Sequence, residues 1–325
     1  MSMTTATVAA RDTEPWSHRL KDIGFWAEWA ALVGLVALVI IFQVLNPTFL
    51  SSGNVRSMLI ASAILVVLAV GQTFVVATGG IDLSVASMMT LAAVVFGATY
   101  SSWGLAGAML AAVVTGLAAG LLNGVIIARG KITDFIVTLG MLSAASGTAL
   151  VLADGKPVTV IDTFLLRLST GGLGIFGWFV VIAAVVAVIA HVMLFHTRFG
   201  THVLATGGSA EAATATGIST ARIKIAVYAI SGLLAGLAAI LLVARVGAAE
   251  PASNTSFLLN SVAAVVLGGV SLLGGRGTIT GPVIGALLLT ALTNGLTLLG
   301  VSQFYQPLAV GIVVVLAALL TRFQK

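Results

Sequence analysis

The run Ile64-Leu65-Val66-Val67-Leu68-Ala69-Val70-Gly71-Gln72-Thr73-Phe74-Val75-Val76-Ala77-Thr78-Gly79-Gly80-Ile81-Asp82-Leu83-Ser84 decides the fold. Its first two-thirds lie in an apolar stretch over 57–78, long enough to cross about 30 Å of hydrocarbon as a helix. The last third breaks that stretch with two glycines and a carboxylate before a new apolar run begins. Comparable stretches recur at roughly 27–45, 83–99, 104–127, 134–152, 176–195, 224–243, 258–273, 281–299 and 305–321. They are continuous, not alternating in polarity. Backbone in lipid must satisfy its own hydrogen bonds, so they read as helices and not as barrel strands. The expectation is an all-α, polytopic helical membrane protein of about ten transmembrane helices.

Composition agrees. The chain is 59% hydrophobic and 8% charged, with a mean hydropathy of +1.16; a soluble domain carries about 25% charged residues. With ten spans and the N-terminus inside, 11 of the 15 Lys and Arg fall on the cytoplasmic side and 4 outside, as the positive-inside rule requires. An even number of spans puts both termini in the cytoplasm. Residues 1–25 read as a cytoplasmic tail ending at an interfacial collar of Trp26 and Trp29, and residues 26–325 as the membrane domain.

Several chemistries drop out. There is no cysteine, hence no disulfide, thiolate nucleophile or zinc–cysteine site. The four histidines form no helical metal pair, so no metal is expected. Gly124 to Lys131 imitates a phosphate loop but has Val125 and Ile132 where glycine and Ser or Thr are needed. Neither an enzyme nor a nucleotide site is expected, and ATP-driven work would belong to another chain.

Asp82 reads in two ways. It is an intramembrane carboxylate on the substrate pathway, which is a functional hypothesis by default, or a helix cap near the cytoplasmic surface behind the helix-ending Gly79-Gly80. Gln72, Asn123 and Asn294 are neutral polar groups suited to a pathway for a polyol; interhelical bonding is the alternative for each. Gly116, Gly120 and Gly124 fall four apart, as do Gly232 and Gly236, and Gly281 and Gly285. Such faces pack helices closely, within one subunit or across a dimer. Gly274-Gly275-Arg276-Gly277-Thr278 resembles the 78–84 interruption and hints at an internal repeat. Two outer segments, 153–175 and 245–257, read as connecting loops or as parts of one surface for an extracytoplasmic partner.

The longest cytoplasmic segment is the polar island His196 to Lys224. In it Gly207-Gly208 breaks the chain, Ser209 caps a short alanine-rich helix, Glu211 favours its first turn, and Gly217 stops it. Such a helix is marginal alone in water and needs a surface to lie against.

The chain resembles the ribose-type permease family, the membrane subunits of bacterial ABC sugar importers. The matching segments run from Gly79-Gly80-Ile81-Asp82-Leu83-Ser84-Val85 through Asn123-Gly124 and Phe135-Ile136-Val137-Thr138-Leu139-Gly140. They continue with Glu211-Ala212-Ala213 to Gly217-Ile218, then Ala263 to Gly269, Gly274 to Gly277 and Asn294-Gly295-Leu296. The resemblance implies a bacterial inner-membrane permease that moves a monosaccharide, a ribose- or xylose-like sugar or a sugar alcohol. Its implied partners are a second permease copy or homologue, a cytoplasmic ATPase that binds ATP and magnesium, and an extracytoplasmic sugar-binding protein. Glu211, Ala212, Ala213 and Gly217 would mark the coupling helix. More distant relatives carry branched-chain amino acids and nucleosides. A stand-alone secondary transporter and a membrane scaffold are the competing classes; the long island and the scarcity of mid-membrane charge weigh against both. No nucleic-acid partner is expected.

Overall fold

The computed structural model describes residues 23–252 and 255–321. Of the tail expected over 1–25, residues 1–22 lie outside the described ones. The bundle opens with α1 (Ile23–Leu45), which includes the expected Trp26 and Trp29. Next comes α2 (Ser52–Ala77), capped by the Ser51 hydroxyl, which accepts from the Asn54 amide. From Ser62 to Ala77 every residue of α2 is buried. A helix apolar all round belongs at the centre of a bundle, and α2 sits there.

The next element, α3 (Val85–Gly130), is helical over 46 residues. Ser84 and Asn123 show that it cannot be straight. Their 39 residues would span about 58 Å of helix, yet the Asn123 amide donates to the Ser84 hydroxyl at 2.8 Å. The chain reverses at Gly104, which has φ 67° and ψ −177°. A positive φ is cheap only for glycine. The two runs expected at 83–99 and 104–127 are thus the outgoing and returning limbs of one hairpin.

The remaining helices are α4 (Asp134–Leu152), α5 (Thr163–Thr170), α6 (Trp178–Phe195), α7 (Arg198–Gly208), α8 (Ala210–Ala215), α9 (Thr220–Val246), α10 (Thr255–Leu267), α11 (Thr280–Leu298) and α12 (Gln306–Thr321). Among the described residues six helices are long and apolar enough to cross a membrane, namely α2, α3, α4, α6, α9 and α11. Shorter apolar helices lie at Ala31–Leu45, Thr255–Leu267 and Gln306–Leu316. The expected run 258–273 stops early, at Leu267, because Gly268-Gly269 follows and Gly269 takes φ 76°.

Strands are two residues each: β1 (Val158–Thr159), β2 (Gly172–Leu173), β3 (Phe176–Gly177) and β4 (Ala248–Ala249). β1 pairs antiparallel with β4, Val158 opposite Ala249, and β2 with β3. These sit in the connecting segments and do not alter the helical class.

The small-residue faces pack inside the subunit. A methyl on Gly116 would lie 2.8 Å from Gly236 N, and one on Gly120 would lie 3.0 Å from Gly232 Cα. The returning limb of α3 and α9 therefore touch backbone to backbone and run antiparallel. Gly285 meets the Ala264 backbone in the same manner, α11 on α10. Small residues at such crossings replace the hydrophobic force that lipid does not supply. These glycines serve packing within one chain, not a dimer contact.

Candidate functional site

Where α2 gives way to α3 the backbone leaves the helix, and its polar side chains gather. The Gln72 amide donates to the Asp82 carbonyl at 2.6 Å. One Asp82 carboxylate oxygen accepts from the Ser84 amide at 2.9 Å and from the Ser84 hydroxyl at 2.6 Å. The other accepts from the Ser231 hydroxyl of α9 at 2.8 Å. The Asn123 bond to Ser84 closes the group. Gln72, Asp82, Ser84, Asn123 and Ser231 are all at most 1% exposed.

The amide orientations follow from the donors. Only nitrogen can donate to the Asp82 carbonyl. The Ser84 hydroxyl spends its single proton on the carboxylate, so it must accept from Asn123. Gln72 Oε1 and Asn123 Oδ1 then remain as buried acceptors without a protein donor. They are acceptors of the kind a hydroxyl group can satisfy.

Asp82 is accordingly not a surface helix cap. Ser84 holds the N-cap position of α3, and Asp82 ties the interruption to Ser231, eleven residues into α9 and about 16 Å from its start. Asp134, at the start of α4, meets Lys224 of α9 at 3.4 Å. Thr138 and Tyr228 hydroxyls donate to the Ile81 carbonyl, at 3.3 and 3.1 Å, from α4 and α9. Non-helical backbone at this depth is tolerated because its polar groups are satisfied by protein.

Three of the four expected pathway residues thus come together. Asn294 does not join them. It exchanges amide bonds with Asn54, at 2.9 and 3.0 Å, near the opposite end of α2. Asn54 lies eighteen residues before Gln72, about 27 Å along the helix. Ser84, Ser231 and Asn54 complete these two groups. Ser231 stands directly before Gly232, so a hydroxyl beside the glycine face was the signal available for it.

The island holds two helices, not one. Gly207 and Gly208 form the last turn of α7, whose start is capped by the Thr197 hydroxyl accepting from Gly200. The expected chain break falls one residue later, at Ser209, where the backbone is extended. Ser209 caps α8 as expected, accepting from the Ala212 amide at 3.1 Å. Gly217, φ 87°, ends it, and the Ile218 amide turns back to the Ala213 carbonyl at 3.0 Å. Glu211, Ala212 and Gly217 are exposed while Ala213 is buried. The helix therefore rests on the protein by one edge and offers the rest.

At the other end, β1 and β4 join the two segments expected to lie outside. Arg56, at the start of α2, donates to the carbonyls of Thr170, Gly171 and Gly174. Asp162 caps α5 and accepts from the Tyr100 hydroxyl at 2.9 Å, which holds its carboxyl below the usual carboxylate range. The two loops thus form one tied surface.

Residues 54–319 match the model of a family described as the branched-chain amino acid transport system permease component. The chain belongs to that family. Within it, this permease is 39% identical to the ribose import permease protein RbsC of Escherichia coli K12, over 98% of both chains. It is 40% identical to RbsC of Bacillus subtilis, over 94% of this chain and 95% of the relative. It is also 35% identical to the L-arabinose ABC transporter permease protein AraH of Azospirillum brasilense, over 90% and 87%. The permease is thus of the ribose type. No solved structure matches it.

Proposed function

We propose that this permease is the membrane subunit of an ATP-driven bacterial importer that carries a monosaccharide, a pentose such as ribose before other sugars, across the inner membrane. The observation that carries this reading is α8: a capped, six-residue helix at the edge of a long polar island, with Glu211 and Ala212 exposed. The chain has no phosphate loop of its own, so ATP and magnesium belong to a partner ATPase docked on α8. The relatives named for ribose and arabinose import support the sugar class.

On this reading the six long helices, one doubled back at Gly104, and the three shorter ones would supply ten crossings, with both termini inside; the helix lengths and the turn at Gly104 support the count. Glu211, Ala212, Ala213 and Gly217 form the coupling contact. A sugar-binding protein delivers its cargo to the outer surface tied by β1, β4 and Arg56. A second permease copy completes the pathway. No bond of the sugar changes. ATP acts through its different affinities for two states of the partner, and the permease alternates with them.

The test is to extract the tagged chain in mild detergent from its native cell, with crosslinking, and identify what accompanies it. A phosphate-loop ATPase at about one per copy is the expected result, with a binding protein that takes up D-ribose. A chain that emerges alone, and moves solute only while an ion gradient stands, would overturn the reading in favour of a secondary transporter.

A further inference from the structure

Glycines from three segments that lie far apart in sequence meet at one point. The Gly275 amide donates to the Ala77 carbonyl at 3.0 Å, which joins the α10–α11 interruption to the last turn of α2. Gly207, near the end of α7, fills the corner between them. A methyl there would overlap the Ala77 carbonyl oxygen and sit 2.5 Å from Gly275 N. On Gly274, a methyl would lie 2.7 Å from Gly79 N and 2.8 Å from the Gly207 oxygen. A methyl on Gly275 would lie 2.8 Å from Gly208 Cα. The contact is backbone on backbone, with no side chain between the three segments to bend or re-pack.

We infer that Gly207 is a positioning residue through which movement of the island reaches the two helix interruptions directly. The inference rests on α8 being the ATPase contact, and it adds the route. A push on α8 passes over the one-residue joint at Ser209 into α7 and onto Ala77 and Gly275. It does not first travel through α6 and α9, the helices that flank the island in sequence. From Ala77 the path to the buried group is short, because Gln72, five residues earlier on α2, holds the Asp82 carbonyl. The same push reaches α11, which is seated on the far side of the α10–α11 interruption where Gly281 meets the Gly268 backbone. Rigid close-packed contacts of this kind switch between discrete arrangements and do not yield continuously. The resemblance between the 78–84 and 274–278 interruptions acquires a physical meaning here: one lever bears on both.

The experiment follows amide hydrogen exchange in the complex co-purified with its ATPase, with and without a non-hydrolysable ATP analogue and magnesium. Gly207→Ala is compared with Gly208→Ala, whose methyl would meet nothing within 4 Å. In the unaltered complex and in Gly208→Ala, exchange over 196–219, 77–84 and 270–278 should change together when nucleotide binds. In Gly207→Ala the island should still respond while the other two segments lose about tenfold of their response. Transmission in Gly207→Ala equal to that in Gly208→Ala would overturn the inference. So would a response in the unaltered complex confined to the island, which decides the matter even if Gly207→Ala fails to accumulate. If no ATPase co-purifies and the island itself ignores nucleotide, the coupling reading fails first and this route falls with it.

Discussion

Replacing Asp82 by alanine removes the acceptor of three hydrogen bonds, from the Ser84 amide, the Ser84 hydroxyl and the Ser231 hydroxyl, at 2.9, 2.6 and 2.8 Å. A side-chain bond between membrane helices contributes about 0.6 kcal/mol on average. A buried amide stripped of its acceptor costs about 1–3 kcal/mol more. Asp82→Ala should therefore destabilise the bundle by about 3–5 kcal/mol, a fall on the order of 10 °C in the temperature at which purified protein loses monodispersity. Asp82→Asn keeps an oxygen for both Ser84 donors and turns a donor toward the Ser231 oxygen, so it should stay within about 1 kcal/mol of the parent. Ser231→Ala strips the second Asp82 carboxylate oxygen of its donor and should cost about 2–4 kcal/mol alone, yet almost nothing on top of Asp82→Ala, because the bond is already gone. The assay is detergent-solubilised protein heated in steps and passed over a sizing column. Asn proving as damaging as Ala would refute the argument, because the shape of the network would then not be what holds the interruption. Ala proving harmless would refute it equally.

Gly120→Ala should destabilise by about 1–3 kcal/mol, since its methyl has only the Tyr228 and Gly232 backbone to enter. Gly140→Ala, which meets nothing within 4 Å, should instead stabilise by about 0.5–1 kcal/mol in the same heating assay. Gly217→Val forces a β-branched residue to φ 87°, and Glu211→Lys reverses the exposed charge of α8. Both should leave membrane accumulation intact and abolish most uptake, scored by immunoblot and radiolabelled D-ribose. Asp162 titrates lower in the folded protein than free, because the Tyr100 hydroxyl donates to it. Its contribution is thus complete above the free value of about 3.9 and is lost only as pH falls through the lower folded value. Exchange at the Phe164 and Leu165 amides should rise only below about pH 4, and that rise should be absent in Asp162→Asn.

The helical class was legible because lipid leaves few choices to a backbone, and runs such as 57–78 state that constraint directly. The α8 cap was legible for a local reason: Ser209 and Gly217 act within a few residues of themselves. That Asn294 stands apart from Gln72 and Asn123 was not legible, because an amide in an apolar run looks alike whatever it meets, and only tertiary packing decides. The reversal was legible as the gap between the runs 83–99 and 104–127; that it rests on the positive φ of Gly104 was not, because that glycine is one among many. The meeting of Ala77, Gly207 and Gly275 involves backbone atoms, which carry no side-chain signature at all. The glycine faces were legible as faces; that they turn inward was decided by each other's presence on α3 and α9.

That pairing of α3 with α9 has a consequence for how the chain is made. Gly120 and Gly232 lie about 110 residues apart, and synthesis at roughly 5–20 residues per second puts about 5–20 s between their appearances. Throughout that interval the returning limb of α3 lacks the partner whose backbone its glycine face packs on in the finished protein. Any neighbouring nascent copy that presents a finished α9 during those seconds offers the same seat. Biogenesis of this permease is therefore a race between its own unfinished helix and another chain's finished one, and crowding of translating ribosomes sets the odds.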